Sequence, residues 1–248
     1  MPFTFSHPAA IFPMVGNKRY FSASGLIVGS MVPDFENFLR MDLDGSVSDT
    51  FLGIFIFDLP LSILLLFLYH LYVRDIFISS LPKFLSQRFA TYIGFDWMGC
   101  FKNRWKIILP SIFIGVLTHL FWDSFTHYDS WLSLNFRSFF YFKIGGISLF
   151  NVFQHASSLV GGVLVFVYIG KMEKGNLPNI QGFKKQYYWL LVFLFGGIVF
   201  ICRALFGFDR FDEAIVSAIS SVLWGILLGS FLYVKYKKSS LFSGKKTA

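Results

Sequence analysis

Three residues that can bind a metal, His119, Asp123 and His127, recur every fourth position in the stretch from Thr118 to His127. On a helix each four-residue step drifts only about 40° and rises about 6 Å, so the three share one face in a row about 12 Å long. Imidazole nitrogen and carboxylate oxygen are ordinary zinc ligands at about 2 Å. Two ligands at i and i+4 can grip one ion. A longer row suits two neighbouring ions, with Asp123 as the bridge and a histidine on either side. Ions about 3.5–4 Å apart suit phosphoester hydrolysis, because they activate water and stabilise both attacking and leaving oxygens. The remaining ligands must come from elsewhere, and His7, Asp34, Glu36 and His155 are the candidates. Asp34 or Glu36 would also orient the attacking water. Plainer readings account for the same residues: a polar pair satisfied inside a bundle, a helix cap at Asp34, or an interhelical hydrogen bond at His155 beside Gln154 and Ser157.

The elements that must position these residues are membrane spans. The 248 residues are 55% hydrophobic, 15% charged and include 34 Phe, whereas a soluble domain carries about 25% charged residues. Apolar runs near the ~20 residues that cross a hydrocarbon core are expected at 51–73, 107–126, 146–170, 187–206 and 214–234. Pro110 falls in the first turn of the second. His7-Pro8 reads as a helix start, with Pro8 at the first helical position. A short helix over 22–31 is too brief to span and lies at the interface or penetrates partway. The expected fold is all-α: a polytopic transmembrane helical bundle of about five spans plus that short N-terminal helix. One membrane domain covers 1–248, with the site in 1–170 and two spans and a basic tail in 171–248.

Charge sets the expected orientation. Residues 74–106, 171–186 and the tail from Lys235 are rich in Lys and Arg and are placed in the cytoplasm. The acidic 34–49 stretch, 127–145 and 207–213 then lie outside. This puts His119, Asp123, His127, Asp58 and the outer part of the third span at the outer face, and leaves His70 near the inner end as a structural residue. Asp58-Leu-Pro60 reads as a capped break in the first span. The net charge of +8 is an orientation signal rather than a nucleic-acid footprint. Cys100 and Cys202 lie in no metal or redox spacing. The N-terminus lacks the basic and apolar regions of a cleavable signal peptide.

Five stretches together, residues 1–8, 29–36, 57–60, 118–127 and 154–158, resemble a bacterial polytopic membrane protein family of unknown function over about residues 1 to 170. More distantly, the order His…Pro-Asp…His-x3-Asp resembles the membrane-bound metal-dependent hydrolases and, beyond them, zinc-dependent phospholipase C. That resemblance implies His7, Asp34, His119 and Asp123 as ligands, with His127 a further one. Where the membrane families carry a His before the first span, Ser48-Asp49-Thr50 places Asp49, a further candidate ligand.

The expected function is a membrane-embedded hydrolase, dependent on a divalent metal (zinc first, one or two ions) and acting on a phosphoester or lipid headgroup. It would sit in the bacterial cytoplasmic membrane with its site toward the outer side and the bilayer as its partner. The non-enzymatic alternative is a transporter or partner-binding subunit in which His119, Asp123, His155 and Asp58 form an intramembrane relay.

Overall fold

The computed structural model describes residues 3–43, 47–48, 50–126, 130–178 and 184–243. The described residues are all-α apart from one two-stranded ladder. Among the described residues, five helices are long and apolar enough to cross a membrane: Phe51–Ser80, Trp97–Thr126, Leu149–Lys171, Lys185–Ala204 and Phe211–Lys235, taken below as spans one to five. The chain is therefore an integral membrane protein, as its composition requires. Two compact units divide it. The first comprises residues 1–36, 46–66 and 99–171, the second 37–45, 67–98 and 172–248.

In the first unit the N-terminal segment folds as a helical hairpin against spans two and three. A 3-10 helix, Thr4–Ile11, continues into a short α-helix, Phe12–Val15. It starts at Thr4, so Pro8 lies inside it rather than at its first position. This limb lies against span three. Ser6 Oγ donates to the Ser158 carbonyl (2.7 Å), a Cβ on Gly161 would meet the Ser6 backbone, and Phe12 stacks on Tyr168 at 4.1 Å. After a turn, Ser22 caps the return helix Ala23–Gly29 by accepting from Gly25 N (3.2 Å).

The return limb packs on span two through small residues. Gly25 faces Ile108 and Ser111, Gly29 faces the Ile112 backbone, and Gly115 faces the backbone of Leu26 and Ser30. Gly25-x3-Gly29 against Ser111-x3-Gly115 is the small-residue pairing that lets membrane helices approach closely. Ser111 Oγ joins the two by accepting from Ser22 N at 2.8 Å.

Several boundaries differ from expectation for identifiable reasons. Span one does not stop at Arg74 but runs to Ser80. Arg74 is buried and its charge is met by Asp75 at 2.6 Å, so the helix passes through both. Most of 74–106, which lies between the expected first and second spans, is likewise helical, at Arg74–Ser80, Lys83–Phe89 and from Trp97 onward. Asp58-Leu-Pro60 does not break span one. The helix widens to a π-turn over Ile54–Asp58, which accommodates the N–H missing at Pro60, and a second π-turn covers Tyr69–Val73. Span two begins ten residues earlier than expected, so Pro110 sits in its interior. Pro110 cannot bond back to Lys106, and the turn before it leaves helical geometry at Arg104 (φ −128°, ψ 15°). Gly146 does not start span three. With Gly145 it forms the turn of a tiny hairpin, Lys143–Ile144 with Ile147–Ser148, both glycines at positive φ, as a type I′ turn demands.

The second unit is held by spans four and five. A Cβ on Gly196 would meet the Ser221 carbonyl at 2.9 Å, and one on Gly225 would strike the Val192 carbonyl. Tyr188 is fully buried and shares a 3.2 Å hydrogen bond with Ser230. Ile76, Tyr188 and Val192 form its core, and Trp189 Nε1 donates to the Ser80 carbonyl at 3.1 Å.

Candidate metal centre

The hairpin brings His7 and Asp34 to the end of span two that carries His119 and Asp123. His7 comes from the first limb; Asp34 sits in the 3-10 turn Val32–Asp34 that ends the second. All four side chains are buried, none more than 5% exposed.

Distances define one focus. His119 Nε2 stands 3.2 Å from Asp123 Oδ2 and 3.8 Å from Asp34 Oδ1. His7 Nε2 stands 3.5 Å from Asp123 Oδ1, so the Asp123 carboxylate turns one oxygen to each imidazole. The two rings stack at 3.9 Å between centroids, and Trp122 closes edge-on against His7. One ligand atom each from His7, His119 and Asp123 lie within 4.8 Å of one another, so this buried group could hold a metal ion.

The backbone fixes which nitrogen of His119 faces the focus. Nδ1 lies 2.8 Å from the Ser30 carbonyl. A carbonyl only accepts, so Nδ1 carries a proton, and Nε2 is the nitrogen that faces the carboxylates and would offer its lone pair to a metal ion. Histidines that bind metal almost always donate their other N–H in this way. The Ser30 carbonyl reaches His119 because Gly29 and Gly115 let the two helices touch, which links a sequence pattern directly to the site. Thr126 Oγ1, buried one turn beyond Asp123, donates to Asp123 Oδ1 at 3.3 Å and holds that carboxylate. Burying two carboxylates costs free energy unless positive charge or strong donors meet them, and a divalent cation would supply such charge.

The other sequence candidates fall elsewhere. Glu36 is buried, and its Oε2 accepts from Val47 N (3.0 Å) and Ser48 N (2.8 Å); it fastens the approach to span one. His155 lies exposed on span three, outside the buried group. His127 and Asp49 lie outside the described residues. Asp58 is fully buried in the first π-turn. His70 belongs to the second unit, stacked on Trp97 at 4.2 Å, with Nδ1 accepting from Arg74 at 3.2 Å. The Ser30 carbonyl and Thr126 are contributors that the residue-type reading passed over. The Gly-x3-Gly pattern before Ser30 and the i+3 position of Thr126 were the available signals.

Fold and site together define an integral membrane protein with a buried His-His-Asp group suited to a metal ion. The chain belongs to the family described as Domain of unknown function (DUF4184), whose model matches residues 1–232. No curated protein and no solved structure matches it.

Proposed function

We propose that this protein is a membrane-embedded hydrolase that uses one divalent ion, zinc first, against a phosphoester such as a lipid headgroup. The observation that carries the reading is the orientation of His119. Its Nδ1 is committed to the Ser30 carbonyl, and its Nε2 faces two buried carboxylates and a second imidazole. His7, His119 and Asp123 would hold the ion, which would supply Lewis acidity and a more acidic water. Asp34, 3.8 Å from His119 Nε2, is the carboxylate placed to orient that water and accept its proton. Glu36 keeps a positioning role through the Val47 and Ser48 amides. The protein would sit in the cytoplasmic membrane, and the distribution of Lys and Arg favours an orientation with this end of span two outward.

A second reading has its own support: burial of all four side chains favours an ion that staples the hairpin to span two without turnover. Assay of the purified protein against phospholipid headgroup esters separates them. The hydrolase reading expects turnover that chelator abolishes, added metal restores, and Asp123→Ala lowers by at least about 100-fold. Stoichiometric metal with no turnover on such esters would contradict it and leave the staple. Proton-coupled uptake in proteoliposomes that survives chelator would favour the relay alternative.

A further inference from the structure

At the other end of span two, about 20 Å along the helix axis from His119, the hairpin tip meets a second cluster of a different kind. Arg104, at the break in span two, donates its guanidinium to the Lys18 carbonyl. This contact draws the tip, residues 16–22, against the entrance of the span, residues 99–106. The two stretches carry Lys18, Arg19, Lys102, Arg104 and Lys106, and neither contains an Asp or Glu. Lys18, Arg19, Lys102 and Lys106 are exposed, and Arg104 is partly so. Aromatic rings accompany the cations. Arg19 lies over Tyr20 at 5.4 Å and Lys106 over Trp105 at 5.7 Å, and Tyr20 and Trp105 are themselves 60% and 47% exposed.

Cations mixed with exposed Tyr and Trp at the end of a span are the composition of a membrane–water interface. A loop contributing charge for orientation alone needs no fixed partner. Here two segments whose contact joins residues 86 apart in sequence are fastened together, and the fastening residue is itself one of the cations. The order of contacts along span two is continuous: Lys18 at Arg104, Ser22 at Ser111, Gly29 at Ile112 and Ser30 at His119. The basic cluster and the metal-type cluster are thus the two ends of one hairpin-on-helix contact.

We propose that this collar is a binding surface for the phosphate of an anionic phospholipid in the adjoining leaflet. Lys and Arg next to an anionic membrane surface each contribute roughly fivefold in affinity; the exposed Tyr20 and Trp105 rings would lie at headgroup level beside the acyl boundary. The surface is independent of the metal reading and would operate whether or not the other end turns over substrate.

The test compares lipid binding by the full chain in a neutral detergent, by native mass spectrometry or thermal shift, with phosphatidylglycerol and phosphatidylcholine as probes. The triple variant Arg19→Gln, Lys102→Gln, Lys106→Gln removes three exposed cations and leaves Arg104 to hold the tip. A second triple variant, Lys83→Gln, Lys174→Gln, Lys184→Gln, removes the same charge from exposed positions of the second unit. Wild type is expected to prefer phosphatidylglycerol, the collar variant to lose at least tenfold of that preference, and the second variant to keep it. Inorganic phosphate at matched concentration is expected not to compete, because the surface is read as one for lipid. Equal loss in both variants would reduce the effect to bulk charge and overturn the proposal. So would no lipid preference in wild type, or full competition by phosphate. A collar variant that melts more than a few degrees below wild type without lipid is replaced by the single variant Lys102→Gln, expected to lose roughly fivefold and overturned by no loss.

Discussion

Each unit buries one histidine of span one or span two, and the two are treated in opposite ways. His119, in the first unit, donates from Nδ1 to a carbonyl and turns Nε2 toward Asp34 and Asp123. His70, in the second, accepts at Nδ1 from Arg74, whose guanidinium also donates to the Phe95 carbonyl and to Asp75, while its ring lies flat on Trp97. Anions and backbone acceptors surround one ring; a cation and an indole surround the other. Both are buried histidines, so the neighbours decide what the imidazole can do. An imidazole that accepts from a guanidinium has spent its lone pair, whereas one that donates to a carbonyl still offers it to an electrophile. The units also differ in what closes them. The first closes around carboxylates and imidazoles, the second around Ile76, Tyr188 and Val192 with serine hydroxyls, Ser217 and Ser220, reaching the carbonyls of Met41 and Phe38.

That contrast can be broken by mutation, and the largest effect is expected at Asp123. Asp123→Ala removes the carboxylate that faces both imidazoles. Metal affinity, read by competition with a chromophoric chelator, is expected to fall at least about 100-fold; an unchanged affinity would remove the distinction between the two units. Next comes Gly115→Ala, which touches no ligand. Its Cβ would come within 3 Å of the Leu26 carbonyl and Ser30 N, so the limb bearing the Ser30 carbonyl must shift. A loss of about 10- to 100-fold in metal affinity is expected from disturbing the acceptor of His119, whereas Gly225→Ala, equally crowded but in the second unit, is expected to lower the melting temperature and leave metal affinity alone. Equal metal loss in both would show that packing in general, not the His119 acceptor, sets affinity.

His70→Phe is expected to cost about 1–3 kcal/mol of stability, because one donor of the buried Arg74 loses its acceptor, with no change in metal content. Metal loss in this variant would mean that the two histidines are not distinct in role. The smallest effect is expected for Glu36→Gln, which keeps an oxygen for the Val47 and Ser48 amides but drops the charge. About 1 kcal/mol in melting is expected, with metal retained; loss of the ion would make Glu36 part of the site.

The spans were legible because lipid demands long apolar helices whatever their contacts. The His119–Asp123 pair was legible because i, i+4 spacing fixes a shared face. Helix ends were less so. Arg74 and Asp75 look like a stop signal singly but neutralise each other inside span one, and Pro110 reads as a helix start although the helix runs through it. His7 was a candidate by residue type and by the order of residues in resembling families, but no local pattern states which helix a 3-10 segment will pack against. His155 has a ligand's chemistry, but the face it occupies on span three is exposed. The Ser30 carbonyl could not be read from residue types at all: it is a backbone group, and only the glycine spacing beneath it hints at the close approach.

Metal stoichiometry of the protein purified in mild detergent, by elemental analysis of wild type, Asp123→Ala and His70→Phe side by side, tests the centre most directly. One divalent ion per chain is expected in wild type and in His70→Phe, and none in Asp123→Ala. A wild-type chain that stays metal-free after incubation with zinc, manganese and iron in turn, or one whose metal survives Asp123→Ala, would contradict the assignment of His7, His119 and Asp123 to a metal centre.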